Sequence, residues 1–377
     1  MKSITIIISL LLSLQLFAQE SFIIKNVKVF DGNNIITKTD VKIEGRFITE
    51  IGQGLHEDET LDVIDGAGKT LIPGLSNAHV HAWAPASLNQ AVKAGVVNVM
   101  DMHGLENFQH SMRMLKDSTN YARYYVAGFA ATAPGGHGTQ FGFAVPTLEK
   151  PEDAKKFVAE RKASNVDYIK IIVEPYRETL SQETVAAIIE ESHKANLKAV
   201  VHISRLKDAI QVLENNADAL VHIWWDELIP LQKLNQLSDN KTFFIIPTLL
   251  TTLKAFEAMG DKSEDFLSKA ELLTEIKKLH DAKIPILAGT DPPNLNINYG
   301  TDLYEELFLF KEAGMSEIEI LKTATSNVAL AFNLDKMGYI KPGYLADLLL
   351  IDGDPSQDIH DIKKIEMIWK AGKLVKR

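Results

Sequence analysis

Residues 70–83 read TLIPGLSNAHVHAW. An apolar run closes on Pro73-Gly74, and two histidines one residue apart, His79 and His81, follow. In a strand, side chains at i and i+2 point to the same side. Two imidazoles at this spacing therefore reach one metal ion from a strand end. Four later residues repeat the pattern of a ligand type set in or after an apolar run. They are Lys170 in DYIKIIVEP, His202 in LKAVVHIS, His222 in ADALVHIW and Asp291 in IPILAGTDPP. The pattern points to a metal centre in the mouth of a barrel, and so to a hydrolase.

Working outward, residues 73–337 alternate short β-rich runs with helical stretches. The expected strands are Val96–Met100, Tyr124–Ala127, Tyr168–Val173, Lys198–Val201, Ala219–Val221, Phe243–Ile246 and Ile286–Ala288. Helical patterns lie between them, among them Gln182–Ala195, Leu206–Asn215 and Leu267–Asp281. With the strand before His79 this makes about eight βα units, the count of an α/β TIM (β/α)8 barrel. In that fold the C-terminal strand ends converge on one face. A doubly wound open sheet is the other α/β option. It would favour a glycine-rich phosphate loop after the first strand, and Pro73-Gly74-Leu75-Ser76-Asn77 is not one. Residues 19–72 and 338–377 read instead as short alternating strands with Asp-Gly turns. The expected arrangement is a small β-sandwich domain formed from both chain ends, with the barrel inserted between them.

Neutral imidazole and carboxylate donors suit zinc, iron, manganese, nickel or cobalt better than calcium, and zinc is the first choice. Lys170 lies in a run that reads as a buried strand. An unpaired buried ammonium is costly, so such a lysine tends to become neutral. A neutral amine can take up carbon dioxide as a carbamate, whose two oxygens can bridge two cations. The expected cofactors are thus two divalent metal ions bridged by carboxylated Lys170. Without the carbamate, a single ion is the simpler outcome.

The remaining chain narrows the setting. Of 377 residues, 46% are hydrophobic, and the formal charge is -10 with no basic cluster, so nucleic acid is not an expected partner. There is no cysteine, which removes disulfides, thiolate sites and a cysteine nucleophile. Residues 1–18, MKSITIIISLLLSLQLFA, read as a secretory signal peptide. The expected product is secreted or periplasmic, without a stable membrane anchor after cleavage. It acts on a small-molecule substrate, and a homo-oligomer is open to it.

PGLSNAHVH, the lysine of the fourth strand, the histidines closing the fifth and sixth, Gly289-Thr290-Asp291 after the eighth, and GYIKPGYLADLLLIDGDP together resemble the amidohydrolase superfamily. APGGHGTQFG (133–142), VDYIKIIVE and NNADALVHI are similar to its branch of imidazolonepropionase-related proteins and metal-dependent Xaa-Pro dipeptidases. The resemblance implies that His79, His81 and Asp291 bind the more buried metal and that His202 and His222 bind the second. It implies that Lys170, carboxylated, bridges both, and that a bridging hydroxide attacks a carbonyl carbon with Asp291 as acid and base. The implied reaction is hydrolysis of a C–N bond in an amide, cyclic amide or peptide-like substrate. A lactonase or other ester-type hydrolase is the alternative, and a catalytically silent binding protein is the alternative of another class.

Two departures bear on the substrate. Dipeptidase-like members carry Gly and then Tyr after the histidine of the sixth strand, whereas His222 is followed by Ile223-Trp224-Trp225-Asp226. The two tryptophans read as a wall for an apolar or ring-bearing substrate, or as core. Tyr304 stands where relatives often carry a histidine. His137, within a glycine-rich loop, is a candidate to bind substrate or polarise its carbonyl. His103, after the second strand, and Trp225 are further substrate candidates. Arg205 and Lys207 offer either a positive rim or ordinary helix-surface charge.

Overall fold

The computed structural model describes residues 21–56, 61–240, 242–263 and 265–377. The signal-peptide segment 1–18 lies outside the described residues. The chain opens with β1 (Ser21–Phe30), β2 (Ile35–Glu44), β3 (Phe47–Gly52), β4 (Asp62–Asp65) and β5 (Thr70–Pro73). Seven strands separated by helices follow: β6 (Leu75–Val80), β7 (Val96–Asp101), β8 (Arg123–Val126), β9 (Ile169–Ile172), β10 (Ala199–His202), β11 (Ala219–Val221) and β12 (Phe244–Ile246). It closes with β13 (Leu348–Ile351), β14 (Ile365–Lys370) and β15 (Lys373–Leu374).

The middle strands form two parallel sheets, β6-β7-β8 and β12-β11-β10-β9. Every residue of these strands is buried except Tyr125 of β8. That is why they read as continuous apolar runs, since helices cover a parallel sheet on its outer face. Backbone bonds also run between β9 and the segment that follows β8. Ala131 N donates to Lys170 O and Ile172 N donates to Ala131 O, each at 2.9 Å. The expected strand Ile286–Ala288 is a lone parallel bridge, Ile286 to Ile245. Pro285 has no N–H to extend the ladder. Leu287 N still donates to Ile245 O at 2.9 Å, and Ala78 N donates to Ala288 O at 2.8 Å. This segment thus lies between β12 and β6.

Helices follow the expected stretches with trimmed ends: Gln182–Lys194, Leu206–Glu214 and Lys269–Asp281. The last begins after Ser268, whose hydroxyl accepts from Glu271 N while the Glu271 side chain accepts from Ser268 N. This reciprocal cap satisfies two otherwise orphaned donors and sets the start two residues later than the apolar pattern suggests.

The chain ends meet in one eight-stranded sheet, ordered β15-β14-β13-β5-β1-β2-β3 with β4 beside β1. The pairing is that of a single sheet, where a two-layered sandwich was expected. Its strands nonetheless share a core of their own: Phe22, Ile24, Val41, Ile43, Leu348 and Trp369 are packed together. Three strand spacings separate β1 from β14, about 14 Å in a flat sheet. Yet the rings of Phe22 and Trp369 stack with centroids 5.2 Å apart. Pairing irregularities in β1 between Ile24 and Val29 provide bends. The sheet therefore curls over its own apolar face, so one sheet encloses a core for which two layers were expected. The opposite face, with Ile72, Leu349, Ile351 and Ile368, joins the main core.

A buried ion pair ties this sheet to the parallel strands. Arg123 Nη1 and Nη2 donate to Asp347 at 2.7 and 3.0 Å, and both residues are buried. Asp347 also accepts from Ala371 N at 2.7 Å. Removing one partner leaves the other buried and uncompensated, so Arg123→Ala is expected to destabilise the fold by about 3–5 kcal/mol. Urea unfolding of the variant against wild type checks this; a loss below about 1 kcal/mol would show that the pair does not hold the seam.

Candidate metal centre

His79, His81, Lys170, His202, His222 and Asp291 line one cavity of about 390 Å³. The structure thus gathers all six side chains from positions more than two hundred residues apart. His103, His137 and Trp225 line the same cavity. Trp224 does not. It is buried in the core, where its Nε1 donates to Glu275 at 2.9 Å. Tyr304 is directed away from the centre, its hydroxyl donating to Ala94 O at 2.6 Å. Arg205 is paired with Asp208 at 2.8 Å and does not line the cavity.

The strand ends aim the donors inward by specific local geometry. Asn77 Oδ1 accepts from His79 N and from Thr290 N, both at 3.2 Å, and Asn77 Nδ2 donates to Thr290 Oγ1 at 2.8 Å. One buried amide thereby fastens the His79 segment to the Asp291 segment. Gly289 lets those segments approach, because a Cβ there would stand 2.5 Å from Ile246 Cγ2 and 2.9 Å from His79 N. His222, Thr248 and Asp291 adopt left-handed backbone, with φ of 69°, 47° and 55°. Such conformations are costly for non-glycine residues and persist where the surroundings fix them. Here Glu306, fully buried, accepts from Leu249 N and Leu250 N at 2.9 and 2.8 Å, directly after Thr248. Burial pushes the Glu306 carboxyl up to about 8, against the pull of those two N–H groups.

Three donors converge most closely. Asp291 Oδ1 lies 3.1 Å from His79 Nε2 and 2.9 Å from His81 Nε2, and the two nitrogens are 3.4 Å apart. Ligands bound about 2.0–2.1 Å from one ion in tetrahedral or octahedral geometry stand about 2.8–3.4 Å from each other. The triangle fits a single cation. Donor atoms of His79, His222 and Asp291 also lie within 4.8 Å of one another.

The next two imidazoles are oriented from outside. His202 Nε2 lies 3.2 Å from Glu174 Oε2, and His222 Nδ1 lies 2.6 Å from Thr248 Oγ1. Those contacts leave His202 Nδ1 and His222 Nε2 for the centre, the arrangement in which a carboxylate or hydroxyl orients a metal-binding histidine. The ring centroids of His202 and His222 are 4.5 Å apart, and that of His79 is 5.0 Å from His222.

Electrostatics suit a cation. Burial lowers His79 to about 3 and holds His202 and His222 well below the usual imidazole range, so these rings are neutral donors. Burial alone would raise Asp291, but the facing imidazoles of His79 and His81 more than offset it and keep the carboxylate ionised. Burial lowers Lys170 to about 7, against the opposing pull of Asp291 and Asp101. Its amine is therefore partly uncharged near neutral pH. His103 Nδ1 accepts from Ala130 N at 3.0 Å, which places the ring proton on Nε2 beside the Gly138 backbone. His137 stacks on His202 with centroids 5.0 Å apart.

Sequence reasoning overlooked Asn77, Glu174, Thr248 and Glu306. Glu174 had a signal: it is a carboxylate just past the apolar run that holds Lys170, the kind of position the other donors occupy. Asn77 had another: it lies two residues before His79 and so shares its strand face. Thr248 and Glu306 carried none, because their parts depend on a bend and on a contact between helices.

Comparison with known proteins agrees with this arrangement. The profile of the amidohydrolase family matches residues 255–375. The chain is 24% identical over 404 aligned positions to a 5-methylthioadenosine/S-adenosylhomocysteine deaminase of Clostridium tetani, covering 90% of this chain and 88% of that one. Its fold superposes on a Xaa-Pro dipeptidase with a TM-score of 0.80 at 22% identity, covering 95% of this chain and 100% of the other. It superposes on the ochratoxinase of Aspergillus niger with a TM-score of 0.78 at 19% identity, covering 95% and 96%. The family match over residues 255–375 and the likeness to a deaminase over most of the chain support membership of the amidohydrolase superfamily and metal-dependent hydrolysis of a C–N bond.

Proposed function

We propose that the chain is a binuclear amidohydrolase that cleaves an amide, cyclic amide or peptide-like C–N bond. The observation that carries this reading is the triangle of His79, His81 and Asp291 donors, with Lys170, His202 and His222 in the same cavity. We read the two parallel sheets, with the backbone bonds of the segments that link them, as one (β/α)8 barrel. In this reading residues 73–337 are the barrel domain and 19–72 with 338–377 the smaller one. The signal-like segment 1–18 supports export to the periplasm or beyond.

In this reading His79, His81 and Asp291 hold one divalent ion, zinc as first choice, and His202 and His222 hold the other. Lys170 lies between them as a carbamate: its uncharged Nζ forms a bond to the carbon of CO2 and releases one proton. The bound ions supply Lewis-acid polarisation and a water activated near neutral pH. Asp291, held ionised, would serve as the proton acceptor in such a site and as the donor to the leaving nitrogen. His137, a neutral ring at the cavity wall, donates to the substrate carbonyl oxygen, and His103 offers its Nε2 proton to the same cavity. The apolar surroundings keep bulk water from competing for these bonds.

Three outcomes test the reading. Metal analysis of the purified protein should find two equivalents of transition metal per chain. In Lys170→Ala it should find about one, with activity reduced by at least about 100-fold and partly restored by short-chain carboxylates. Two tightly held ions in that variant without added acid would remove the bridge. Asp291→Asn should keep most of its metal and lose about 10²–10⁴-fold in kcat; a kcat near wild type would end the proton-transfer role.

The third outcome is a pH dependence. Carbamate formation needs the uncharged amine. With Lys170 at about 7, that form makes up about 10% at pH 6 and about 90% at pH 8. At a fixed concentration of dissolved CO2, metal-free protein should therefore take up its second ion about ninefold faster at pH 8 than at pH 6, as followed by the time course of metal uptake. Lys170→Ala should lose that step, and equal rates at both pH values in wild type would argue against a carbamate.

A further inference from the structure

We propose, building on the amidohydrolase reading above, that the substrate is an amide bearing an aromatic ring and no free carboxylate, with the ring seated against Trp225 and Phe256. The first support is the built wall of the cavity. Trp225 stacks on Tyr176 at 5.1 Å with ring planes 12° apart. It is held edge-on by Phe266 at 4.1 Å and by Phe256 at 5.9 Å. A ring fixed on three sides loses little further freedom when a ligand packs on it, which favours binding of a flat apolar group. Met259 and Leu295 extend the apolar lining, and both are more than a third exposed at the mouth.

The second support is charge. Among the described residues, Lys170 is the only lysine or arginine that lines the cavity, and it lies buried among the metal donors. Among the described residues, the one lining carboxylate besides Asp291 is Glu174. It is held in place by Ser204 Oγ, which donates to it at 3.1 Å, and by Tyr176 N at 3.2 Å. A free acid reaching past the centre would find Glu174 and no guanidinium or ammonium to pair with. Like charges placed together in a partly desolvated site discriminate against a ligand by repulsion. The cavity thus has what an uncharged aromatic amide needs and lacks what a dipeptide's carboxylate needs.

Matched substrates test this with the metal-loaded full-length protein. Alanyl-phenylalanine is compared with its C-terminal amide, and acetanilide with N-cyclohexylacetamide. We expect kcat/KM at least about tenfold higher for the uncharged member of the first pair and for the aryl member of the second. Trp225→Leu should raise KM for the aryl amide about tenfold while leaving the cyclohexyl amide within about threefold. Trp225→Phe, which keeps a ring, should restore the preference. Glu174→Gln should narrow the gap between free acid and amide. Faster turnover of the free acid, or no aryl preference, overturns the proposal. If these substrates fail while a cyclic amide is hydrolysed, the substrate class is wrong and the hydrolase reading stands. If protein holding two ions turns over none of them, both readings fall.

Discussion

Desolvation at the top of the parallel strands is the constraint around which the molecule is arranged. Three imidazoles, a lysine and a carboxylate are withdrawn from water into a lining of apolar side chains. None can ionise there on ordinary terms, and each is displaced from its usual titration range or held by a neighbour. A divalent cation would take up the lone pairs of these neutral imidazoles and of the carboxylate, which would couple metal binding to the folded state. The same low polarity makes each hydrogen bond within the site stronger than it would be in water.

A shell of residues outside the proposed donor set sets the direction of the donors. Asn77 joins the two segments that present His79 and Asp291. Glu174 and Thr248 each take one nitrogen of an imidazole and so decide which nitrogen faces inward. Glu306 acts one step further out, fixing the start of the helix that follows Thr248. These four polar groups thus reach the centre through His79, Asp291, His202 and His222. A change in any of them would alter donor direction before it altered donor identity.

Much of this was legible from residue order. Strand ends could be placed because buried parallel strands have nearly unbroken apolar runs, as in Ala219–Val221, which needed no adjustment. The donor set could be placed because each ligand type lies in, or directly after, such a run. What was not legible is geometry that depends on partners distant in sequence. The eighth segment looked like its neighbours, yet Pro285 and Gly289 leave it only a few ladder bonds. The chain ends alternate as a sandwich would, but alternation records only that one face is buried. It does not say whether a second sheet or the curl of the same sheet covers that face. Trp224 and Trp225 are adjacent and chemically alike. Only the fold reveals that one donates to Glu275 in the core while the other faces the cavity.

The order β13-β5-β1 has a consequence for how the chain is made. β5 is flanked by a strand near the start of the chain and by one that is synthesised almost three hundred residues later. Until that late strand arrives, one edge of β5 has no partner, and Arg123 has no carboxylate opposite it. The early segment cannot finish folding as it leaves the ribosome; it must wait for the C-terminal strands. Premature termination a few dozen residues short would therefore leave the metal donors encoded but the seam beneath them open.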